Sequence, residues 1–340
     1  MPRHRLRHTA LLASVATLTA CGGGGTSSAP TPPSDTQRAQ AAQATADNQP
    51  YCKSAQPFYW EIGNAQGAQA SGTAGGSTYS ATTRMPIASA SKWVYASYVV
   101  QKRGGVANLS STDIGYLHFT SGYSVFNQLA CNPGDTVASC DAAVQYDNQT
   151  LNQFDYSGGH MQRHADVVMG LGTLNGTQFA DELRTQLGSD QTFTFTSPQP
   201  AGGGYTNAAD YAVLLRKIMD GQLLMHDALS ADPACANPNT CLAPDNLAAY
   251  SPIPLSETWH YSIGHWIEDD PTVGDGAFSS PGAFGFYPWI SADKSTYGIL
   301  ARYDTSGTSI SDPAQKPYML SVECGRLIRK AWFSGQAITN

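Results

Sequence analysis

Six cysteines distributed from Cys52 to Cys324 constrain this chain more than any other feature of its sequence. Cys52, Cys131, Cys140, Cys235, Cys241 and Cys324 form an even set, which reads as three disulfides in an exported chain. Cys131 and Cys140 bracket a segment rich in Asn, Pro, Gly, Asp and Thr, and Cys235 and Cys241 bracket another, so the ends of each loop should lie close together. Spacing therefore favours Cys131–Cys140 and Cys235–Cys241 among the many possible pairings, which leaves Cys52–Cys324 to join the start of the domain to its end. Closing so long a loop stabilises a fold by about 5 kcal/mol on the chain-entropy model. No Cys-x-x-Cys occurs, and no metal or cofactor is expected.

The seventh cysteine belongs to a leader. Arg3, Arg5 and Arg7 make a basic start, Thr9 to Ala20 is uncharged and mostly apolar or small, and Leu18-Thr19-Ala20-Cys21 resembles a bacterial lipobox. Residues 1–20 read as a lipoprotein signal, too short to cross a bilayer. The mature chain would begin at a lipidated Cys21, held at the cell envelope, on the outer membrane or in the periplasm, or released from there, with the lipid as its only membrane contact. Residues 21–48 carry almost no large apolar side chain and read as a flexible tether. Residues 49–340 are left as one domain, near the upper limit for a single core. With the three leader arginines removed, 16 basic residues face 26 acidic ones, a net charge of −10, which argues against a nucleic-acid partner.

Pro57–Gly67 and Ala68–Gly76 read as two early strands. Trp93, Val94, Ala96, Val99 and Val100 then cover most of a helix circumference, and Lys102-Arg103-Gly104-Gly105 supplies a basic last turn and a glycine stop. A middle lobe, about 108–252, is loop-rich but carries helices over Thr177–Leu187 and, capped by Asn207 with Asp210, through Met219. Gly282–Ser291 and Thr296–Asp304 form a β-hairpin around Ala292-Asp293-Lys294, and a last helix runs from about Lys316 to Trp332. The plan is α+β, with an antiparallel sheet built from both chain ends, flanked by helices, and a mostly helical middle lobe.

Ser89 and Lys92 stand at the head of the apolar helix. Three residues apart on a helix, they share a face, whereas Ser91 points elsewhere. A serine hydroxyl is a weak nucleophile unless a base takes its proton, and a lysine can do so only when burial or nearby charge lowers its pKa. The apolar helix supplies burial of that kind. Ser291 and Lys294 repeat the spacing, but in the expected hairpin turn, where no chemistry is assigned to them.

Met85–Val94, "MPIASASKWV", resembles the nucleophile motif of the serine β-lactamase and penicillin-binding-protein superfamily, in particular its class C-like branch of esterases and amide hydrolases. Phe154–Gln162 resembles the second motif, Gly202–Gly221 the helix after the middle lobe, and Ser279–Ser291 the third motif on an active-site edge strand. The resemblance implies a β-lactamase/transpeptidase-like fold, with Ser89 as nucleophile, Lys92 as base, Tyr156 as proton relay, and an oxyanion hole from the N–H groups of Ser89 and Ala283. Gly158, His160, Ser280, Gly282 and Phe284 fall where the family binds substrate. Two departures matter: Gly158 stands in place of an asparagine, and Ser280-Pro281 in place of Lys-Thr or His-Thr. Both weaken the case for a D,D-peptidase or β-lactamase and favour an exported esterase or small-amide hydrolase acting on a small or oligomeric substrate. The alternatives are a weak D,D-peptidase or β-lactamase, or a non-catalytic, cell-wall-binding lipoprotein of the same fold. His160, His164 and Asp166 have helical metal-ligand spacing, but no third ligand is fixed, and His160 is expected to line the cleft. Gly-x-Ser-x-Gly is absent, which counts against an α/β-hydrolase.

Overall fold

The strand Phe58–Asn64 is where the two ends of the chain meet. In the computed structural model, which describes residues 31–340 apart from Asp245, it pairs antiparallel with Gly67–Ala74 on one side and Tyr297–Ala301 on the other. The expected signal sequence and Cys21 lie outside the described residues. The sheet continues through Tyr287–Ile290, Ala277–Ser279, Trp266–Glu268, His260–Tyr261 and Ala234–Cys235, antiparallel at every step, to eight strands. The expected hairpin is present, and Lys294 takes a left-handed φ of 59° in its turn. The third-motif strand is not an edge, however: Ala277–Ser279 is paired on both sides, because three short strands extend the sheet beyond it.

The central strands are buried on both faces, which is why they read as apolar runs rather than as alternation. Tyr287 and Trp289 face the terminal helix Pro317–Ser334, where the Arg329 guanidinium stacks 4.6 Å from the Trp289 ring. Tyr297 faces the helix Ala208–Met219 on the other side, within 3.3 Å of Arg216. Under the terminal helix the buried Glu268 accepts from Tyr287, Arg326 and Arg329 at 2.7, 3.0 and 3.3 Å. Burial alone would push its carboxyl up, but the two guanidiniums and the phenol hold it below the ordinary range.

The helix Ser91–Arg103 ends on Gly104 in the left-handed conformation, as its glycine stop predicts. The lobe between carries Ser111–Leu117, Val137–Asp141, Gly159–Arg163, Gly176–Leu187 and Ala208–Met219, with small two- and three-stranded ribbons. All three disulfides pair as the spacing favours: Cys52–Cys324, Cys131–Cys140 and Cys235–Cys241.

A second expectation is corrected. The stretch read as tether becomes a helix, Asp35–Asn48, opened by a capping box between Ser34 and Gln37. It buries Ala41, Ala42, Thr45 and Ala46, and packs on the terminal helix and on Gly67–Ala74. Small side chains let the two helices approach closely, so burial is gained without the large apolar residues by which an ordered segment is usually recognised. The Thr45 hydroxyl also accepts from the Ile338 N–H at 2.9 Å, tying the chain end back to this helix. A chain beginning at Pro33 should therefore melt like the longer protein, whereas one beginning at Gln49 should lose several degrees in Tm by differential scanning fluorimetry.

Candidate functional site

The helix bearing Lys92 is entered through a single 3-10 turn, Ala88–Ala90, and Ala88 sits at φ 42°, a left-handed conformation that costs an alanine about 1 kcal/mol or more. Contacts from two other segments hold the turn. The Ile87 N–H donates to the Gly204 carbonyl at 3.0 Å, and the Gly204 N–H donates to the Ser91 hydroxyl, also at 3.0 Å. Ser91 in turn donates to the Ala88 carbonyl at 2.6 Å. From the far side the Ser280 hydroxyl donates to the Ser89 carbonyl at 3.1 Å. Ser91 is thus fully buried and occupied as a staple, and Ser89 is the serine left facing the cleft.

Lys92 is 3% exposed, with its Nζ 2.9 Å from Ser89 Oγ and 2.8 Å from the Ala201 carbonyl oxygen. Among the described residues no carboxylate reaches it, and burial pulls its pKa down to about 7. The neutral amine can donate to Ala201 while its lone pair accepts the Ser89 proton. The Tyr156 ring lies 4.8 Å from this nitrogen, stacks on Trp266, and borders the same hollow as Ser89. Burial raises the phenol to about 12, so Tyr156 holds a proton at neutral pH and is suited to deliver one.

The turn after Ala277–Ser279 completes the site. The Gly282 N–H donates to Phe286 and the Gly285 N–H donates back to Gly282, both at 2.8 Å, which leaves Ala283 exposed at the apex. A Cβ on Gly282 would come within 2.1 Å of the Ile87 carbonyl oxygen, so only glycine lets this turn close against the nucleophile segment. Among the described residues neither the Ser89 nor the Ala283 N–H has a backbone acceptor, and both residues border one hollow with Tyr156. Two unengaged amide donors beside a nucleophile form an arrangement able to stabilise a developing oxyanion.

The expected substrate residues divide differently. Ser280 is 2% exposed and positions Ser89 rather than facing the cleft. His160 does not line the cleft: it is fully buried, with Nδ1 2.7 Å from the Ser121 hydroxyl and Nε2 3.1 Å from the Asp155 carbonyl, and burial lowers its pKa to about 3. His164 is held separately, by Tyr95 and Asp113, so the pair shares no ligand point. Gly158 is buried, and a Cβ there would stand 3.2 Å from the Cβ of Ala201. The asparagine absent at this position would press on the residue whose carbonyl holds Lys92. Phe284 packs against Tyr303 at 5.1 Å, in an adjoining hollow. Ser291 donates to Asp293 and Lys294 to the His226 carbonyl, so the repeated Ser-x-x-Lys spacing brings no pair together. Sequence reasoning missed Ala201, Trp266, Ile253 and Tyr318. The first acts through a backbone carbonyl, and the others are apolar or aromatic side chains that carry no motif.

No family model and no curated protein matches the sequence. Solved structures do match. A penicillin-binding protein from Bacillus halodurans superposes with a TM-score of 0.57 at 12% identity, over 80% of this chain and 97% of its own. A D-stereospecific amidohydrolase from Streptomyces gives 0.53 at 14% identity, over 90% of this chain and 100% of its own. A β-lactamase from Mycobacterium bovis gives 0.53 at 15%, over 82% of this chain and 96% of its own. This chain has the serine β-lactamase and penicillin-binding-protein fold. The β-lactamase-like architecture agrees with the order of the sequence motifs, from Ser89 through Tyr156 to the Ser280 turn. Replacing Ser91 by alanine should leave the Gly204 N–H buried without an acceptor and lower stability by about 1–3 kcal/mol in urea titration.

Proposed function

We propose that the protein is a serine hydrolase that cleaves an ester or small amide through an acyl-enzyme on Ser89. The observation that carries this reading is the Lys92 amine, 2.9 Å from Ser89 Oγ and lowered by burial to about 7. In the first step Ser89 Oγ attacks the substrate carbonyl carbon and its proton passes to Lys92. The carbonyl oxygen becomes an oxyanion facing the N–H groups of Ser89 and Ala283. As the tetrahedral intermediate collapses, the bond to the leaving oxygen or nitrogen breaks, and that atom takes a proton from Tyr156, which Lys92 replenishes. Water then attacks the acyl-enzyme, gives its proton to the same base, and releases the carboxylic acid and free Ser89.

The missing second-motif asparagine and third-motif lysine or histidine support an ester or simple amide over a β-lactam or a peptidoglycan peptide. Residues 1–20 and Cys21 support export and lipid anchoring at the envelope, which fractionation of a Cys21→Ser variant would test.

Ser89→Ala and Lys92→Ala should each lower kcat/KM on p-nitrophenyl acetate by about a thousandfold or more, and the double variant should be no worse, because nucleophile and base act as one unit. Tyr156→Phe should lose about a hundredfold. A fluorophosphonate probe should label the native protein at Ser89; absence of labelling would instead favour a non-catalytic binding lipoprotein. Below its pKa Lys92 holds a proton and cannot accept another, so kcat/KM should rise with pH through about 7 and then level.

A further inference from the structure

In front of Ser89 the cleft divides into two hollows. The smaller, about 70 Å³, has Ser89 and Tyr156 at its base and Pro252, Ile253, Trp266 and Pro281 as walls. The larger, about 220 Å³, is lined by Phe284, Asp304, Thr305, Thr308 and Lys316. Ala283 and Tyr318 border both. Tyr318 thus stands with Ala283 where the two hollows adjoin, and its side chain is fixed in place: its hydroxyl donates to the Pro252 carbonyl at 2.5 Å, across 66 residues of chain.

Resting on the hydrolase reading, we infer that the smaller hollow is the leaving-group site, and that Tyr318 restricts the leaving group to a short, uncharged alcohol or amine. Three observations lead there. The proton donor Tyr156 borders the smaller hollow and not the larger, and the atom that leaves must lie beside its proton donor. Among the described residues no lysine, arginine, aspartate, glutamate or histidine lines the smaller hollow, so a carboxylate on the leaving group would lose its water and gain no partner there. At about 70 Å³ it has under a third of the volume of the larger hollow, at about 220 Å³, so a short chain is accommodated there more readily than a long one. Truncating Tyr318 would join the two hollows and open a path for longer groups toward Thr305 and Thr308.

The test measures kcat/KM by pH-stat for acetate esters of methanol through hexanol, and in parallel for ethyl esters of acetate through hexanoate. Native protein, Tyr318→Ala, Tyr318→Phe and Ile253→Ala are compared, each checked for fluorophosphonate labelling of Ser89. In the native protein kcat/KM should fall by about tenfold or more from ethyl to hexyl acetate. Tyr318→Ala should shrink that hexyl-to-ethyl ratio by about fivefold or more, Ile253→Ala should shift it in the same direction from another wall, and Tyr318→Phe, which keeps the ring, should hold the native ratio. Should Tyr318→Ala fail to fold, the native profile and Ile253→Ala carry the same comparison. A flat alcohol profile in labelled native protein, or a Tyr318→Ala effect confined to the acyl series, would overturn the assignment while leaving the hydrolase reading intact. Loss of labelling in the native protein would remove that reading, and this inference with it.

Discussion

The site depends on a lysine buried without a counter-ion. Taking an ammonium out of water is costly, and where no carboxylate compensates, the group responds by giving up its charge near neutral pH. Lys92 does so in the space between its own apolar helix, the Ala201 carbonyl and the Tyr156 ring. Much of the surrounding structure serves to keep that nitrogen dry and aimed. Ala88 holds a strained turn ahead of Ser89, and the Gly204 strand and Ser280 fasten the turn from two sides. A carboxylate placed within reach would stabilise the ammonium and remove the base.

The two ends of the chain supply the frame against which this happens. Phe58–Asn64 lies between its own hairpin partner and the strand Tyr297–Ala301, and Cys52–Cys324 joins the segment ahead of that strand to the terminal helix. The same helix brings Arg326 and Arg329 under the sheet, where Glu268 and Asp275 neutralise them. The turn carrying Ala283 hangs from this sheet, while Ser89 and Tyr156 come from the helical side. The Ser89 and Ala283 N–H groups thus border one hollow from separate parts of the fold, and a glycine at position 282 permits the final contact.

What could be read from the sequence follows from what is local. Ser89 and Lys92 lie three residues apart on a helix, so their meeting is a property of helix geometry. The hairpin around Lys294, the Gly104 stop and the two short disulfide loops are local in the same sense. The helix Asp35–Asn48 escaped because it buries only alanine and threonine, a pattern that resembles a polar linker until its partner helix is known. His160 and Ser280 occupy motif positions but point into the protein, since what each side chain meets is decided by segments distant in sequence, Ser121 and Asp155 for the one and Ser89 for the other. The role of Ala201 had no side-chain signature at all, since it holds Lys92 through its backbone carbonyl, and a Cβ at Gly158 would press on it at 3.2 Å.

Tyr318 rides on the first turn of the helix that also carries Cys324, and its hydroxyl is tied to a segment on the far side of the cleft. A side chain held at both ends makes the boundary between the two hollows a property of one residue rather than of a loop, so that boundary moves when that side chain is replaced. A tyrosine codon is a single base change from codons for serine, cysteine, asparagine and histidine, all of which remove the hydroxyl's bond to Pro252 but leave the helix and its Cys52–Cys324 disulfide in place. The architecture thus separates the dry lysine and its frame from a boundary that one point mutation can move.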